Sequence, residues 1–390
     1  MLWFALLVPV LLSFFAYLKY HREITIGELI LPTVISFLFI VISYFTLKSV
    51  NMTDIEYNGE IVIAAKYYEP WETWVHKTCS YTTCTGSGKT RHCTTHHYDC
   101  SYCDYNSEYY EVITDRGNKK IISKEKYNIL LRQWSAKPEF IELDRHINYH
   151  GSCGKDGDAY IIKWDQKIET SEAFVSEHEF KNIVKVTHSA FKFSEISNGE
   201  ADTIGLYHYP SFYDYYKQPA ILGTCRFPIH NAPLLQKKLE YLNGYLGTRN
   251  KVKVFTLLFK NKPIDIAFKQ EAYWEGGNQN ELVVCIGLKD NLEIDWVKPF
   301  SWCDNKRILI DTREDIAELK TFKGDSIYNI YLNNIPKYFH YKSFKDFNYL
   351  SFEPTIGQIL FVYIGTIVIS IITLFFGINF DIFNTENKYY

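Results

Sequence analysis

Three apolar runs lie near the two ends of the chain, and the long stretch between them is polar. The runs cover residues 2–18, 29–47 and 359–378, and they contain no charged residue. A helix needs roughly 20 residues, at about 1.5 Å each, to cross a bilayer core of about 30 Å. The runs also lack the polar stripe of a helix that covers a soluble domain. They therefore predict three transmembrane helices.

The first run has a second interpretation, a cleaved signal peptide, because it stands at the amino end. A signal peptide has a basic segment before its apolar core and small residues at its cleavage site. Here only Met1 precedes the run, and Phe14, Phe15, Tyr17 and Tyr20 crowd the place where cleavage would occur. The sequence therefore favours a retained helix.

Positive charge predicts the orientation of these helices. The short loop between the first two runs contains Lys19 and Arg22, and loops rich in Lys and Arg stay in the cytoplasm. Residues 49–355 are then expected outside the cytoplasm, so the bulk of the chain is extracytoplasmic. All nine cysteines fall between Cys79 and Cys303, inside that region, where disulfides persist.

Composition and charge limit the classes of partner. The 390 residues are 47% hydrophobic, which excludes wholesale disorder. Lys and Arg number 42 against 45 Asp and Glu, a net charge of −3. Nucleic-acid binding needs a basic excess on at least one face, so nucleic acid is not an expected partner. The expected partners are the lipid bilayer and another envelope or surface protein.

Between the second and third apolar runs, the sequence predicts several strands and helices. The run 60–66 is short and β-branched and predicts a strand, and residues 160–164 predict another. Residues 123–134 predict a helix with Ser123 as its cap. Segments are therefore assigned as follows: 1–48, two transmembrane helices and a cytoplasmic loop; 49–110, a strand and a Cys/His-rich module; 111–200, a mixed α+β segment; 201–355, an α/β domain; 356–390, the third transmembrane helix and a short cytoplasmic tail.

The stretch 201–325 has the most regular pattern. Four leucines recur at helical spacing and predict a helix over 234–246: Leu235, Leu239, Leu242 and Leu246. The continuous apolar runs 251–260 and 281–288 predict strands that are buried on both faces of a sheet, with a helix from Pro263 between them. Further strands are expected over 292–297 and 307–310, followed by a helix capped by Asp311 and Thr312. This order predicts an α/β layer with at least one parallel strand pair.

Within that stretch, the segment Trp274-Glu-Gly-Gly-Asn-Gln-Asn-Glu-Leu-Val-Val284 precedes a charged turn and a return strand. This arrangement resembles the TPM domain family, which includes YgcG-like membrane-anchored proteins, over about 125 of the 390 residues. The resemblance implies a domain outside the membrane, metal binding and weak phosphatase activity. The family's Asp-Asn-Gly stands here as Gln279-Asn280-Glu281, so no catalytic residue is transferred. The alternative is an unrelated small α/β domain with the same order of elements.

The fold expected from these patterns is a multi-pass membrane protein with three transmembrane helices. Its extracytoplasmic part combines an α/β (α+β) domain with a small Cys-rich module.

The Cys-rich module has two main interpretations. Few aliphatic residues occur between His76 and Tyr110, so this segment cannot bury enough apolar area to fold alone. Three disulfides would hold it, with fifteen possible connectivities among six cysteines: Cys79, Cys84, Cys93, Cys100, Cys103 and Cys153. The alternative is a zinc site whose ligands are Cys79, Cys84, Cys100 and Cys103, with histidines nearby. Reactive thiols are a third interpretation. The oxidising side of the membrane favours disulfides.

Two other motifs in this segment are incomplete. Cys100-Ser-Tyr-Cys103 has the spacing of a redox pair, which requires a strand before it, and no strand is predicted upstream of Asp99. Gly86-Ser-Gly88-Lys89-Thr90 resembles the end of a phosphate-binding loop, but Thr83 stands where the motif requires glycine. Neither a redox pair nor a nucleotide site is expected.

The sequence therefore predicts a membrane-anchored surface or envelope protein that binds a partner or assists assembly, without enzymatic activity and without a cofactor. The alternative is a TPM-like hydrolase, phosphatase-like and metal-assisted. The end of the predicted strand 251–260 and the turn Gly276–Glu281 distinguish them, because converging carboxylates in a cleft favour the enzyme and a filled surface favours binding. No catalytic residue is assigned.

Overall fold

The computed structural model describes residues 2–20, 24–88, 91–143, 153, 156–187, 193–214 and 216–380. Two parts of the orientation prediction, Arg22 and the tail after residue 380, lie outside these residues. The chain forms two compact units: residues 1–56, 177–195 and 342–390 make the first, and residues 57–176 and 196–341 make the second.

The helices are named in chain order, and a short 3-10 helix, Leu2–Leu6, leads into the first. They are α1 Leu7–Tyr20, α2 Ile26–Asn51, α3 Lys124–Gln133, α4 Asn198–Ile204, α5 Ala232–Asn250, α6 Asp265–Tyr273, α7 Arg307–Glu318, α8 Gly324–Tyr338 and α9 Ile356–Phe380.

The strands are named in the same way. They are β1 Thr53–Tyr68, β2 Trp71–Val75, β3 Thr78–Thr85, β4 His92–Asp99, β5 Tyr102–Asn106, β6 Tyr109–Thr114, β7 Lys119–Ile122, β8 Glu139–Ile141, β9 Ala159–Lys163, β10 Ala173–Lys181, β11 Ile221–Leu222, β12 Lys253–Lys260, β13 Glu281–Leu288 and β14 Ile294–Phe300.

The first unit contains the three apolar runs as helices. The helical stretches Leu2–Tyr20, Ile26–Asn51 and Ile356–Phe380 are long and apolar enough to span a membrane. Small and polar residues lie where they touch: Ser36 Oγ and Ser370 Oγ are 3.2 Å apart in a buried contact between α2 and α9. Glu28 closes the start of α2, accepting a 2.8 Å hydrogen bond from the backbone N–H of Thr25. Such contacts are typical of helices that associate in an apolar solvent.

In the second unit, a sheet with strand order β11-β12-β13-β14 carries helices on both faces. The strands β12 and β13 pair in parallel from Lys253↔Glu281 to Lys260↔Leu288, which confirms the predicted parallel pair. Leu242 of α5 and Ile316 of α7 are buried on one face of this sheet, and Ala267 of α6 on the other. Because both faces are covered, the strands are apolar without alternation.

A second sheet in this unit has the order β7-β6-β1-β9-β8, with β10 also pairing with β1. The helix α3 packs on it through the buried Tyr127 and Leu130. The cap of α3 is Ser123, as predicted, because its side-chain oxygen accepts a hydrogen bond of 3.2 Å from the N–H of Lys126.

One predicted element is wrong. Residues 307–310 were expected to form a strand, but they open the helix α7, in which Ile308, Thr312 and Ile316 are buried at helical spacing. Thr312 therefore lies inside the helix and does not cap it. Only three consecutive apolar residues, Ile308 to Ile310, stand there, and so short a run does not distinguish a strand from a helix. The helix α8, which follows α7, was not anticipated.

Glycines allow β1 and α5 to touch through their backbones. A Cβ on Gly244 of α5 would lie 2.7 Å from the carbonyl oxygen of Glu60 and 2.6 Å from Ile61 Cγ1. A Cβ on Gly59 of β1 would lie 2.3 Å from the carbonyl oxygen of Asn243. Side chains of any size at these positions would force the strand and the helix apart.

Gly244→Ala is therefore expected to destabilise the protein by about 1–3 kcal/mol through overpacking. Gly199→Ala is the matched control, because a Cβ at this helical position meets nothing within 4 Å. The control should leave the thermal unfolding midpoint unchanged or slightly raised. Circular dichroism of the detergent-solubilised chain measures both midpoints, and equal midpoints for the two variants would contradict the close packing.

Candidate interaction site

Residues 71–88 and 91–106 form a long two-stranded ribbon, here named the arm. The strands β2 and β5 pair from Trp71↔Asn106 to Val75↔Tyr102, and β3 and β4 continue the pairing from Thr78↔Asp99 to Thr85↔His92. At the base, the register of β1 with β6 ends at Tyr68↔Tyr109, whose rings stack 4.3 Å apart. The arm is thus a continuation of the β1–β6 pair.

The arm has almost no core of its own. Every residue of β4 is exposed, and Cys79 is the one half-buried residue of β3. A two-stranded ribbon without a packed face is at best marginally stable in water. Another interaction must therefore hold the strands together.

Disulfides supply that interaction. The bonded pairs are Cys79–Cys100, Cys84–Cys93 and Cys103–Cys153. The first two cross the ribbon, and the third joins β5 to a residue 50 positions further along the chain. Each bridge is worth typically about 2–4 kcal/mol because it restricts the unfolded chain. The bridges hold the arm in one shape where apolar burial cannot.

The candidate zinc ligands are divided among these bridges. Cys79 and Cys100 are bonded to each other, whereas Cys84 and Cys103 have separate partners. Metals bind the thiolate form of cysteine, so zinc coordination by these four residues would require reduction of all three bridges. Glu72 lies close to the Cys103 and Cys153 sulfurs, but both of those sulfurs are in a disulfide.

The prediction that no strand lies upstream of Asp99 is wrong. The strand β4 does run directly into Cys100, although its Thr, His and Tyr residues gave no strand signal. Cys100 and Cys103 are nevertheless bonded to different cysteines. Cys103 also lies in the strand β5, whereas a redox pair of this spacing lies at the start of a helix. In the incomplete phosphate-loop motif, Gly86 and Gly88 adopt left-handed φ values of 93° and 62°, while Lys89 and Thr90 lie outside the described residues.

The remaining cysteines are free thiols. Cys225 is exposed, and Cys285 and Cys303 are buried. Cys285 lies inside β13, as expected for a small core residue, and burial raises the pKa of its thiol.

One side of the arm displays an aromatic surface. Tyr81 and His96 are directly opposite, with ring centroids 5.0 Å apart, and Tyr98 is the next residue on the same face at 6.1 Å from Tyr81. The side chains of Tyr81 and Tyr98 are 55% and 51% exposed. These three residues are named the aromatic face.

The opposite side of the ribbon is different. Alternate residues of a strand point to opposite faces, so Thr82 and Thr95 lie on the reverse side, where their Oγ1 atoms are 3.1 Å apart. These two residues are named the threonine face. The ribbon therefore offers two faces of different chemistry on one rigid backbone.

The turn Gly276–Glu281, which the sequence singled out, is filled. Glu281 is fully buried, and its carboxylate accepts hydrogen bonds from the hydroxyl of Tyr209 and, at 2.9 Å, from the N–H of Asn278. Lys253 is its partner in the sheet register and is buried as well. Burial lowers the pKa of Lys253, an effect that the nearby Glu281 opposes. The carboxylate at this turn belongs to a packed polar cluster.

Comparison of the chain with protein-family models, with curated proteins and with solved structures finds no match in any of the three. The resemblance to the TPM domain family, and the metal-dependent phosphatase activity that it implies, stay predictions.

Peptide mapping by mass spectrometry without reduction is expected to recover the bonded peptides Cys79–Cys100, Cys84–Cys93 and Cys103–Cys153. Cys225, Cys285 and Cys303 should appear as free thiols. The physical reason is that the arm has no apolar core to replace the bridges.

Metal analysis of the same sample is the control. Free thiols at Cys79, Cys84, Cys100 and Cys103 after denaturation, together with one equivalent of zinc, would establish the zinc alternative instead.

Proposed function

We propose that this is a membrane-anchored surface or envelope protein that binds another protein through the aromatic face of the arm. The observation that supports this proposal is the contrast between the arm's rigidity and its exposure. Three bridges involve its cysteines, yet every residue of β4 and all but one of β3 are exposed. Structural bonds in an exposed ribbon serve to hold its surface in one shape, and pre-organisation lowers the entropy that binding costs.

The chemistry of the aromatic face suits a protein partner. Tyr81 and Tyr98 combine a large apolar ring with a hydroxyl, and few rotamers are lost when tyrosine is fixed. Tyrosine is enriched in protein interfaces for this reason. Thr83 Oγ1 lies 3.0 Å from His96 Nε2, which orients the imidazole beside the tyrosines.

The turn Gly276–Glu281 supports binding over hydrolysis. A hydrolase at this position would need carboxylates that reach substrate in a cleft. Glu281 is instead buried, and its carboxylate already accepts hydrogen bonds from Tyr209 and Asn278.

The proposed location is a membrane, with the second unit on its extracytoplasmic side. Three helices are long and apolar enough to anchor the chain in a lipid bilayer. The disulfides suit an oxidising compartment. Lys19, one of the two cations on which this orientation rests, lies in the last turn of α1.

Cys225 offers a direct test of orientation, because it is the exposed free thiol among the described residues. A membrane-impermeant maleimide should label it in intact cells, and Cys225→Ser should abolish that labelling. Cys285 and Cys303 should react only after denaturation because they are buried. Labelling of Cys225 only after lysis would reverse the proposed topology.

The aromatic face can be tested by photo-cross-linking in the source cell. With p-benzoyl-phenylalanine in place of Tyr81 or Tyr98, illumination should join the full-length protein to one protein partner. The same group in place of Thr82, on the threonine face, should yield several-fold less of that adduct. The partner, purified with its own tag, should recover the wild-type chain in return.

Tyr81→Ala should then weaken binding to that partner about tenfold, the effect of a central interface tyrosine. Thr82→Ala is the matched control and should bind as the wild type does. Equal adducts from both faces, or adducts with lipid alone, would contradict the proposal.

A further inference from the structure

A cavity of about 360 Å³ lies within the second unit, away from the arm. Its walls come from four segments: α3, residues 171–173, the pair Tyr213 and Lys217, and the first turns of α5. Charged groups from all four segments face it: Lys126, Glu172, Lys217, Lys237 and Glu240. The volume is in the lower range of sites for small molecules.

Two of the lysines are already neutralised. The buried carboxylate of Glu172 lies 2.5 Å from Lys126 Nζ and 2.9 Å from Lys217 Nζ. Lys126 also contacts Asp214 Oδ2 at 2.8 Å. This network fixes the lysine side chains and leaves Glu172 fully engaged.

The second carboxylate is engaged as well. Glu240 is buried and accepts hydrogen bonds from the Tyr213 hydroxyl and the Gln236 amide. Burial raises the pKa of Glu240, since the charged form loses its hydration there. Hydrogen bonds from the cavity wall thus hold Glu240, as ion pairs hold Glu172.

Lys237 differs from the other two lysines. It is half-buried, and the described ion pairs of the cavity, which join Glu172 and Asp214 to Lys126 and Lys217, do not include it. Burial lowers the pKa of its ammonium group, while the charges of Glu172 and Glu240 raise that pKa and those of Lys217 and Lys126 lower it. An anion beside Lys237 would replace the hydration that burial removes.

We propose that this cavity binds a small polar ligand through an oxyanion group, a carboxylate or a phosphate, with Lys237 as its main cationic contact. Gln236 lines the same wall, where its Nε2 donates to Glu240 and its Oε1 accepts a 3.2 Å hydrogen bond from the N–H of Ile221. Most of the lining residues have polar side chains, and a lysine ammonium is a good point-charge partner for either oxyanion. The proposal is independent of the arm and of its partner.

Lys238→Gln is a matched control for Lys237→Gln. Lys238 is the next residue of α5 and does not line the cavity, and its Nζ pairs with Asp325 Oδ1 at 2.7 Å. Both substitutions remove one positive charge from neighbouring positions, so they change the net charge of the protein equally. Only the first removes a cation from the cavity.

The experiment is isothermal titration of the full-length protein, in an uncharged detergent, with inorganic phosphate and separately with succinate. Wild type and Lys238→Gln should bind at least one probe at millimolar concentration or below. Lys237→Gln should bind about tenfold more weakly or not at all, as expected for loss of a charge-assisted contact. The probe with the higher affinity identifies the ligand as phosphate-bearing or carboxylate-bearing.

Thermal unfolding distinguishes a loss of binding from a folding defect in the variant. The preferred probe should raise the midpoint of the wild type, because it binds the folded state, and should leave the Lys237→Gln midpoint unmoved. Lys237→Arg, which keeps the charge, should restore the shift. Absence of binding by both probes to the wild type, or equal weakening in the Lys237 and Lys238 variants, would overturn the proposal.

Discussion

The second unit depends on the pairing of β1. The strand pairs with β6 on one edge and with β9 on the other, with Ala65 opposite both Val112 and Ile162. A strand between two partners has its backbone donors and acceptors satisfied on both sides, so it is costly to displace. Gly59 brings the same strand against α5, where a Cβ would not fit. The pairing with β6 also sets the base of the arm at Tyr68 and Tyr109.

Different interactions stabilise the apolar helices, the β12–β13 layer and the arm, because the three sequences differ in their apolar residues. Apolar helices associate through small contacts such as Ser36 with Ser370, which suits a solvent that is itself apolar. The β12–β13 layer excludes water from apolar side chains on both faces. The arm has neither option, and covalent bridges hold it. The two proposed binding features lie where packing is least complete, on the exposed arm and around a lysine-lined cavity.

Buried polar groups in the second unit serve structure. Glu281 and Lys253 lie at the start of two adjacent strands and are enclosed with Tyr209 and Gln218. A buried charge is tolerated only when hydrogen bonds and an opposite charge compensate for its lost hydration. Such a cluster fixes the ends of the two strands in register.

Sequence alone predicted the elements whose signal is local. The absence of charge over a bilayer's length indicated the three apolar helices, and leucine spacing indicated α5. Ser123 indicated the start of α3 because capping is a contact within one helical turn. It missed β3 and β4, whose Thr, His and Tyr residues lack the apolar alternation on which strand prediction rests.

Only the tertiary structure decided the cysteine pairing and the cavity. Spacing leaves fifteen connectivities open, and the register of β3 with β4 places Cys84 directly opposite Cys93. The sequence did not decide whether the turn Gly276–Glu281 is a cleft or a filled surface, because nothing local shows that Tyr209 covers it. Lys126, Glu172, Lys217 and Lys237 come from four separate segments. Their meeting depends on long-range strand and helix packing, and no local pattern in a sequence encodes such a distance.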